Sequence, residues 1–466
     1  MAIEASAHHI GKADNRWSAH IRATLSLGIP LIGAQLAQVG IHTTDTVIVG
    51  QLGAVPLAAM VLAGQFFFVL FVFGSGFSIA VVPMVAQAYG RGDGVSVRRS
   101  LRMGMWVALG FSLLVMPLFM NATPVLLALG QQPDVASLAA GYLRIAFFGL
   151  PAGLLFYVLR SMVSAIGRAG IVLYVTLATL TLNGVLAYCL VLGHFGFPAL
   201  GMKGAAIVAV ISQWTSFFLL VAYVQTREET RQYELFVRFW RPDWRALGEV
   251  LYLGLPISVT IIAEVGFFSA SSLLMGKIGT LELAAHGIAL QLASIAFMIP
   301  LGLSQAATVR VGVAHGRGDY AELVRASIVA IAIGVILSLI YGLVFAVIPG
   351  PLAGIFLNPE TPNAAHVLTI AVPLIIVGGF FQLMDGLQAI FSGLLRGLKD
   401  ARIPMIMALI AYWPIGMLSG WALAFPLGFG GVGIWFGFLI GLASAALMMC
   451  LRFVILLKKE MRAAGF

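Results

Sequence analysis

Three acidic residues lie within long apolar stretches of the chain, where charged side chains are unexpected. They are Asp45, Glu264 and Asp385. A carboxylate near the centre of a membrane helix costs about 2.5 to 3.5 kcal/mol on insertion scales, so such residues are rare unless they serve a function. The three acids are therefore the first candidates for binding a cation or a proton.

Amide and imidazole side chains lie near these acids in the sequence. Gln382 and Gln388 flank Asp385 at intervals of three, which places them on one helix face, and His42 precedes Asp45 by about one turn. A buried carboxylate in such surroundings can take up a proton, because burial disfavours its charged form, or it can join other oxygens around Na⁺. His42 slightly favours a proton near Asp45. In the alternative interpretation, each acid only pairs with a nearby arginine or caps a broken helix.

Aromatic, methionine and glutamine side chains predict the wall of a substrate cavity. The candidates are Phe267, Phe381, Met384, Gln38, Gln65 and Gln291. Aromatic faces and polarizable methionine sulfur suit flat, lipophilic cations. The alternative for any one of these aromatic residues is ordinary helix packing or lipid contact.

The elements that carry these residues are predicted to be membrane helices. Hydrophobic residues make up 61% of the 466 residues and charged residues 10%, against about a quarter in soluble domains. Apolar stretches long enough to cross about 30 Å of hydrocarbon recur twelve times. We place them near residues 24–49, 56–86, 101–120, 137–159, 169–192, 203–225, 247–275, 282–310, 326–348, 366–395, 402–425 and 431–457.

Part of the chain is present twice. Residues 28–93 and 254–319 align without a gap at a constant offset of 226, with 22 identities in 66 pairs. Such repeats are typical of secondary transporters. Each half has an even number of spans, so both copies enter the membrane from the same side. The predicted fold class is an all-α polytopic membrane protein with twelve transmembrane helices, in two six-helix lobes related by a pseudo-twofold axis along the membrane normal.

The two copies differ at the acids. In the gap-free alignment Asp45 corresponds to Ser271, and Glu264 corresponds to Gln38. Asp385 corresponds to Tyr157 in a weaker alignment at an offset of 228. No acid has an acidic counterpart, so the duplicated scaffold has one intramembrane acid in its first lobe and two in its second.

The distribution of cations predicts the orientation of the chain. Of 27 lysines and arginines, all but Arg144, Lys203 and Lys277 fall at the termini or near the connections after even-numbered spans. By the positive-inside rule both termini and these connections are cytoplasmic. The net charge of +9 therefore reflects topology and does not indicate nucleic-acid binding. The predicted segments are an N-terminal segment (1–23), a first lobe (24–225), a cytoplasmic inter-lobe linker (226–246), a second lobe (247–457) and a cytoplasmic tail (458–466).

Motifs for enzymatic chemistry are missing from the sequence. It contains neither a GxxxxGK[ST] phosphate loop nor an HExxH zinc motif, and its two cysteines show no metal or disulfide spacing. The sequence GRGD at 90–93 and 316–319 is interpreted as a duplicated cytoplasmic turn. We expect no enzymatic activity, no ATP use and no cofactor besides a coupling ion.

Several longer motifs resemble one transporter family. They are DTVIVGQLG at 45–53, VAQAYGRGD at 85–93, LRSMVSAIGR at 159–168, AHGIALQ at 285–291, VRVGVAHGRGD at 309–319 and GLLRGLKDARIPM at 393–405. Together they resemble the multidrug and toxic compound extrusion (MATE) family, in its NorM-like bacterial branch. The resemblance covers nearly the whole chain. It implies a bacterial inner-membrane antiporter that exports organic cations in exchange for inward Na⁺ or H⁺, through a cavity between the lobes.

The resemblance also implies roles for particular residues. Glu264 and Asp385 match the acids of the family's cation site in the second lobe, and Asp45 matches the acid of the first lobe. Asn183 matches a polar partner in the first lobe, whereas Gly184 stands where archaeal members have a second aspartate. We expect a monomer whose partners are drug-like cations and the bilayer. The alternative function is a flippase for lipid-linked oligosaccharides or lipid precursors, from the same superfamily.

Overall fold

The structure is a computed structural model that describes residues 16–357 and 362–464. These residues form helices and connecting turns, with no β-strand among them. Twelve helices are long and apolar enough to span a membrane, which confirms the predicted fold class. They are α1 (Trp17–Gly50), α2 (Ala54–Gly90), α3 (Gly94–Met120), α4 (Pro133–Ala165), α5 (Gly170–Leu192), α6 (Gly201–Thr226), α7 (Trp244–Ile278), α8 (Thr280–Arg317), α9 (Tyr320–Val347), α10 (Ala364–Gly397), α11 (Arg402–Ala424) and α12 (Gly430–Ala463). Residues 1–15 of the predicted N-terminal segment and 465–466 of the predicted tail lie outside the described residues.

Several helices extend beyond the predicted spans. α8 contains 38 residues, whereas the apolar stretch of the sequence covers only 282–310. About 20 residues suffice to cross the hydrocarbon, so a helix of this length continues past it. Hydropathy marks only the apolar part of each helix, which is why the sequence underestimates the ends. α1 likewise begins at Trp17 and not at residue 24.

Two spanning helices change their helical type locally. α4 includes a 3₁₀ turn at Phe147–Gly149, and α11 includes a π-helical segment at Ala411–Met417. Pro414 lies in the π segment, and proline has no N–H for a regular helix hydrogen bond. Short π segments inside α-helices are frequent at functional sites. The π segment of α11 is therefore a place to look for functional side chains.

The duplicated Gly-Arg-Gly-Asp sequence forms the same turn twice. Gly92 and Gly318 have φ angles of 71° and 72°, a left-handed conformation that favours glycine. Asp93 and Asp319 follow as the N-caps of α3 and α9. Their side chains accept hydrogen bonds from the backbone N–H three residues later, at 3.0 and 2.8 Å. The repeat in the sequence is thus a repeat in local structure.

The chain forms two compact units. Among the described residues, the first unit comprises 33–258, and the second comprises 16–32 together with 259–464. The beginning of α1 therefore belongs to the second unit, and the beginning of α7 belongs to the first. The predicted lobes, 24–225 and 247–457, therefore have different bounds from these units, and the first unit also includes the predicted linker, 226–246.

A close approach of helix backbones accounts for this exchange, and it occurs at corresponding positions in the two units. In the first unit, a Cβ on Gly76 of α2 would lie 2.6 Å from the backbone nitrogen of Ser258, whose hydroxyl donates to the Phe73 carbonyl at 2.6 Å. In the second unit, a Cβ on Gly302 of α8 would lie 2.7 Å from Cα of Ile32. Both contacts need glycine, since a larger residue would separate the helices. Ile32 and Ser258 are also related by the offset of 226.

Candidate functional site

Three polar side chains form a buried row on α10. Gln382, Asp385 and Gln388 are 0%, 3% and 2% exposed, as their three-residue spacing predicts for one helix face. The amide of Gln382 donates to the carbonyl of Ala293 on α8 at 2.7 Å. Asp385 Oδ1, Gln382 Oε1 and Gln388 Oε1 are buried and have no hydrogen-bond partner among the described residues. Buried acceptors are costly when they are left without a partner, so this row is suited to a proton or a cation.

Glu264 on α7 lies within electrostatic range of this row. Its side chain is half-buried, and its charge interacts with Asp385 and with Arg396, in the last turn of α10. The guanidinium of Arg396 donates to the hydroxyl of Ser304 on α8 at 3.1 Å. The structure therefore brings the two acids of the second unit together. It also supports part of the alternative interpretation, since Glu264 has an arginine nearby.

Two tyrosine side chains border these acids. Tyr412, in the π segment of α11, interacts electrostatically with both Glu264 and Asp385. Its side chain is fully buried, and its hydroxyl has no hydrogen-bond partner in the described part of the chain. Its ring stacks on Phe267, with centroids 5.6 Å apart and an interplanar angle of 7°. Tyr341 on α9 interacts electrostatically with Asp385, and its hydroxyl lies 2.6 Å from the hydroxyl of Ser338.

Two of the predicted cavity residues lie in an aromatic core. Phe267 and Phe381 are each 1% exposed, and their rings lie 5.1 and 5.8 Å from that of Phe438 on α12. Met384 is half-buried and packs against the same core. In this structure Phe267 and Phe381 pack against neighbouring aromatic rings, and their role in a substrate cavity stays a prediction.

The predicted glutamines differ in their exposure. Gln65 and Gln291 occupy corresponding positions on α2 and α8, and both are exposed. Gln38, the counterpart of Glu264, is half-buried on α1. Exposure leaves the two corresponding amides free to meet a ligand, but it does not by itself define a cavity.

A cavity of about 720 Å³ lies between α7 and α11, and none of the three acids lines it. Its wall includes Leu273, Lys277, Met417 and Trp421. Among the lining residues that the structure describes, none is a predicted site residue. Its apolar wall contains one charged residue, so it offers no cluster of oxygen ligands for a cation.

Asp45 of the first unit has simpler surroundings. It is 5% exposed, and the side-chain amide of Asn183 on α5 donates a hydrogen bond to it. Asn183 is fully buried, and its amide also lies 3.4 Å from the hydroxyl of Ser212 on α6. Asp45 Oδ1 and Asn183 Oδ1 have no hydrogen-bond partner among the described residues. Among the described residues of the first unit, Asp45 is thus a buried acid with an amide partner.

Other polar residues near Asp45 do not face it. The hydroxyls of Thr43, Thr44 and Thr46 donate to backbone carbonyls four residues earlier in α1, at 3.0, 2.8 and 2.9 Å. Serine and threonine side chains within helices commonly form such bonds. His42 is exposed. The structure therefore adds no support to the prediction, based on His42, that a proton binds near Asp45.

The donor set limits how a metal ion could bind. Among the described residues there is no group of three or more His, Cys, Asp or Glu side chains that could hold one. A Na⁺ ion beside Glu264 and Asp385 would need further oxygens. The amides of Gln382 and Gln388 and the phenol of Tyr412 could supply them.

Comparison with known proteins decides the family. The MatE family model matches residues 30–189 and 256–422. The chain belongs to the MatE family. This protein is 66% identical to a probable multidrug resistance protein NorM of Agrobacterium fabrum, with all of both chains aligned. It is 58% identical to a protein of the same name from Rhizobium meliloti, with 97% of this chain and 96% of that protein aligned.

Solved structures of MATE transporters share the fold of this MatE protein. A point mutant of the Vibrio cholerae MATE transporter VcmN has a TM-score of 0.87 at 18% identity, covering 95% of this chain and 98% of that chain. The eukaryotic MATE transporter AtDTX14 has a TM-score of 0.83 at 23% identity, covering 96% of this chain and 98% of that chain. At these identities the likeness concerns the fold alone.

Sequence reasoning missed two residues beside the acids of this MatE protein. Arg396 was assigned only to membrane orientation, although it follows Asp385 by 11 residues. Eleven residues make about three turns, so the spacing itself places both on one face of α10. Tyr412 comes from another helix, and its position depends on tertiary packing that no local spacing reveals.

Proposed function

We propose that this MatE protein is a secondary active multidrug efflux antiporter. It exports lipophilic organic cations in exchange for inward Na⁺ or H⁺, acts as a monomer in the bacterial inner membrane and keeps both termini in the cytoplasm. Relatives named as multidrug resistance proteins support the substrate class. The observation that carries the proposal is the buried row of Asp385, Gln382 and Gln388, with Glu264 in electrostatic range and oxygens left without partners.

The second unit is the proposed coupling site. When both Glu264 and Asp385 are ionised and Arg396 is charged, the cluster has a net charge of minus one. A proton or one monovalent cation neutralises it. A proton needs one carboxylate only, whereas Na⁺ also draws on amide and phenol oxygens. Glu264 and Asp385 are the proposed metal ligands if Na⁺ is the coupling ion.

Coupling requires that the ion bind unequally to two conformations. An ion with equal affinity for inward-open and outward-open states would shift neither. We propose that ion binding at Glu264 and Asp385 favours the state that releases the organic cation outside. Asp45 with Asn183 forms a second proposed locus in the first unit, with His42 at the periphery. Gln38, Gln65 and Gln291 remain proposed contacts for the substrate.

The test is transport in proteoliposomes. Purified protein is reconstituted into proteoliposomes, which are loaded with ethidium. Export of ethidium is followed under an imposed Na⁺ gradient and separately under an imposed pH gradient. We expect one gradient to stimulate transport and Asp385→Asn to remove that stimulation. The substitution keeps the size of the side chain and removes its charge.

A matched variant controls for the loss of any carboxylate. Asp134→Asn makes the same chemical change at an exposed position in the first turn of α4, and it should transport like the native protein. Gradient-stimulated transport by a well-folded Asp385→Asn protein would contradict the proposed site. If native protein transports under neither gradient, assays of lipid-precursor flipping would follow.

A further inference from the structure

The inter-lobe linker between α6 and α7 is an ordered segment that packs on α3. Successive backbone hydrogen bonds of 3.0 to 3.1 Å close turns at residues 230–233, 231–234, 234–237 and 238–241. Glu234 and Arg238 have φ angles of 47° and 55°, so both adopt the left-handed backbone conformation that occurs in tight turns. Leu235 is 5% exposed and anchors the apolar side of the segment.

One face of α3 holds the linker through its backbone. Arg102 donates to the carbonyl of Arg238 at 3.0 Å, and the indole of Trp106 donates to the carbonyl of Phe239 at 3.1 Å. Arg102 and Trp106 are four residues apart, so they share a face of the helix. Because these carbonyls face α3, the linker has a fixed inner side.

Three of the four acids in the linker pair with arginines outside it, and the fourth, Glu228, is exposed. Glu234 pairs with Arg98 of α3 at 3.2 Å, and Asp243 pairs with Arg99 at 3.5 Å. Glu229 forms two hydrogen bonds of 2.6 and 2.9 Å with Arg168, between α4 and α5. The positive partners of these three acids thus come from outside the linker.

The outer side of the linker is basic and aromatic. Arg231, Arg241 and Arg245 are exposed. Trp240 and Trp244 are 73% and 72% exposed. Large exposed aromatic residues beside exposed arginines are unusual for a surface that meets only water, but they are typical of a membrane interface.

We propose that this outer side binds the anionic phospholipid headgroups of the cytoplasmic leaflet. The positive-inside distribution of the sequence puts the linker at that leaflet. Juxtamembrane arginines attract anionic lipid through its negative surface potential, and tryptophan rings settle at the headgroup level. The pairing of Glu229, Glu234 and Asp243 with arginines outside the linker leaves Glu228 as the one linker acid outside these three ion pairs, against the three exposed arginines Arg231, Arg241 and Arg245. This proposal does not depend on the transported substrate or the coupling ion.

The test follows the two tryptophans directly. The full chain is labelled with 5-fluorotryptophan and placed in nanodiscs of phosphatidylcholine alone or with phosphatidylglycerol. The fluorine resonances are assigned by their loss in Trp240→Tyr and Trp244→Tyr. Broadening of these resonances is then measured with two paramagnetic probes. The first is a lipid that carries a nitroxide on its headgroup and has the same charge as the host lipid of that nanodisc. The second is a soluble gadolinium chelate.

We expect the nitroxide lipid to broaden both resonances, with several-fold more broadening for phosphatidylglycerol. Combined Arg231→Gln, Arg241→Gln and Arg245→Gln should remove this preference. A matched variant with Arg144→Gln, Lys203→Gln and Lys277→Gln also loses three charges, but from the opposite side, and should keep it. Equal broadening by the two lipids in native protein, or broadening by gadolinium alone, would overturn the proposal.

Discussion

The buried acids of the two units have different neighbours although the units share a duplicated scaffold. Asp45 of the first unit has the amide of Asn183 as its partner. Asp385 of the second unit lies among two buried glutamines, with Glu264 and Tyr412 in electrostatic range. The turns and the glycine crossings, by contrast, repeat at an offset of 226. The duplication thus retains backbone geometry and differs in the polar side chains around the acids.

The first test of this difference removes the negative charge of Glu264 near Arg396. Glu264→Gln should lower gradient-driven transport by roughly 5- to 150-fold, the range that coupling free energies usually produce. It should also lower the stability of the protein, because Arg396 loses a nearby negative charge. Transport is measured in proteoliposomes and stability as the thermal midpoint in detergent.

A double variant distinguishes the two roles of Glu264. Glu264→Gln combined with Arg396→Gln restores the balance of charge, so we expect stability to recover and transport to stay low. Arg396→Gln alone should leave the two acids without the cation near Glu264. Recovery of transport in the double variant would mean that Glu264 only pairs with Arg396 and binds no ion.

Asp45→Asn should have a smaller effect than Asp385→Asn. The new amide can still bond to Asn183, and the acids of the second unit stay intact. We expect transport to fall about fivefold, at the lower end of the usual coupling range, and to stay gradient-dependent. The two variants are compared in one proteoliposome assay at equal protein density. Equally complete loss of transport in both variants would show that the two units act in a single coupling step. The proposed difference between their acids would then be wrong.

Local periodicity explains which features could be predicted from the sequence. Twelve spans follow from apolar stretches, and the row on α10 follows from glutamines at three-residue intervals around Asp385. The Gly-Asp turns follow from a repeated tetrapeptide, because their backbone conformation is set by the residues themselves. These properties depend on neighbours in the chain.

Features that depend on distant residues were not predicted. The beginning of α1 belongs to the second unit because Gly302 lets Ile32 approach, and no local pattern indicates that contact. Phe267 and Phe381 are apolar residues near acids in the sequence, yet packing with Phe438 places them in the core. His286 of α8 also went unnoticed. Its Nδ1 accepts a hydrogen bond from the Trp435 indole at 3.1 Å, 149 residues further along the chain.

Tyr412→Phe sharpens the comparison within the second unit. It removes a buried hydroxyl that has no hydrogen-bond partner among the described residues and keeps the ring stacked on Phe267. If the hydroxyl serves the ion, the ion concentration for half-maximal transport should rise about 3- to 10-fold, as expected for one hydrogen-bond-sized interaction. Tyr341→Phe is the control, because the Tyr341 hydroxyl already lies 2.6 Å from a serine hydroxyl. An unchanged ion requirement with raised stability would assign Tyr412 to packing alone.

The smallest expected effect is on stability, and it concerns the Gly-Arg-Gly-Asp turn that both halves of the chain contain. Asp93→Ala and Asp319→Ala each remove an N-cap and should cost about 1 kcal/mol at neutral pH. Asp93 also accepts a hydrogen bond from the hydroxyl of Ser96, whereas Glu322 in the second copy faces Arg317 at 3.3 Å. Asp93→Ala should therefore cost slightly more. Thermal midpoints in detergent provide the comparison, and a large difference between the two variants would contradict the equivalence of the turns.

The effect at Asp93 should depend on pH in one direction. Hydrogen bonds from Ser96 hold the pKa of the Asp93 carboxyl below its usual value. Its stabilising contribution is thus fully present above the unfolded pKa of about 3.9 and is lost as the pH falls through the lower folded pKa. The difference in thermal midpoint between native protein and Asp93→Ala should be largest at neutral pH and should shrink on acidification below about pH 4. A constant difference would mean that the cap acts through shape and not through the ionised carboxylate.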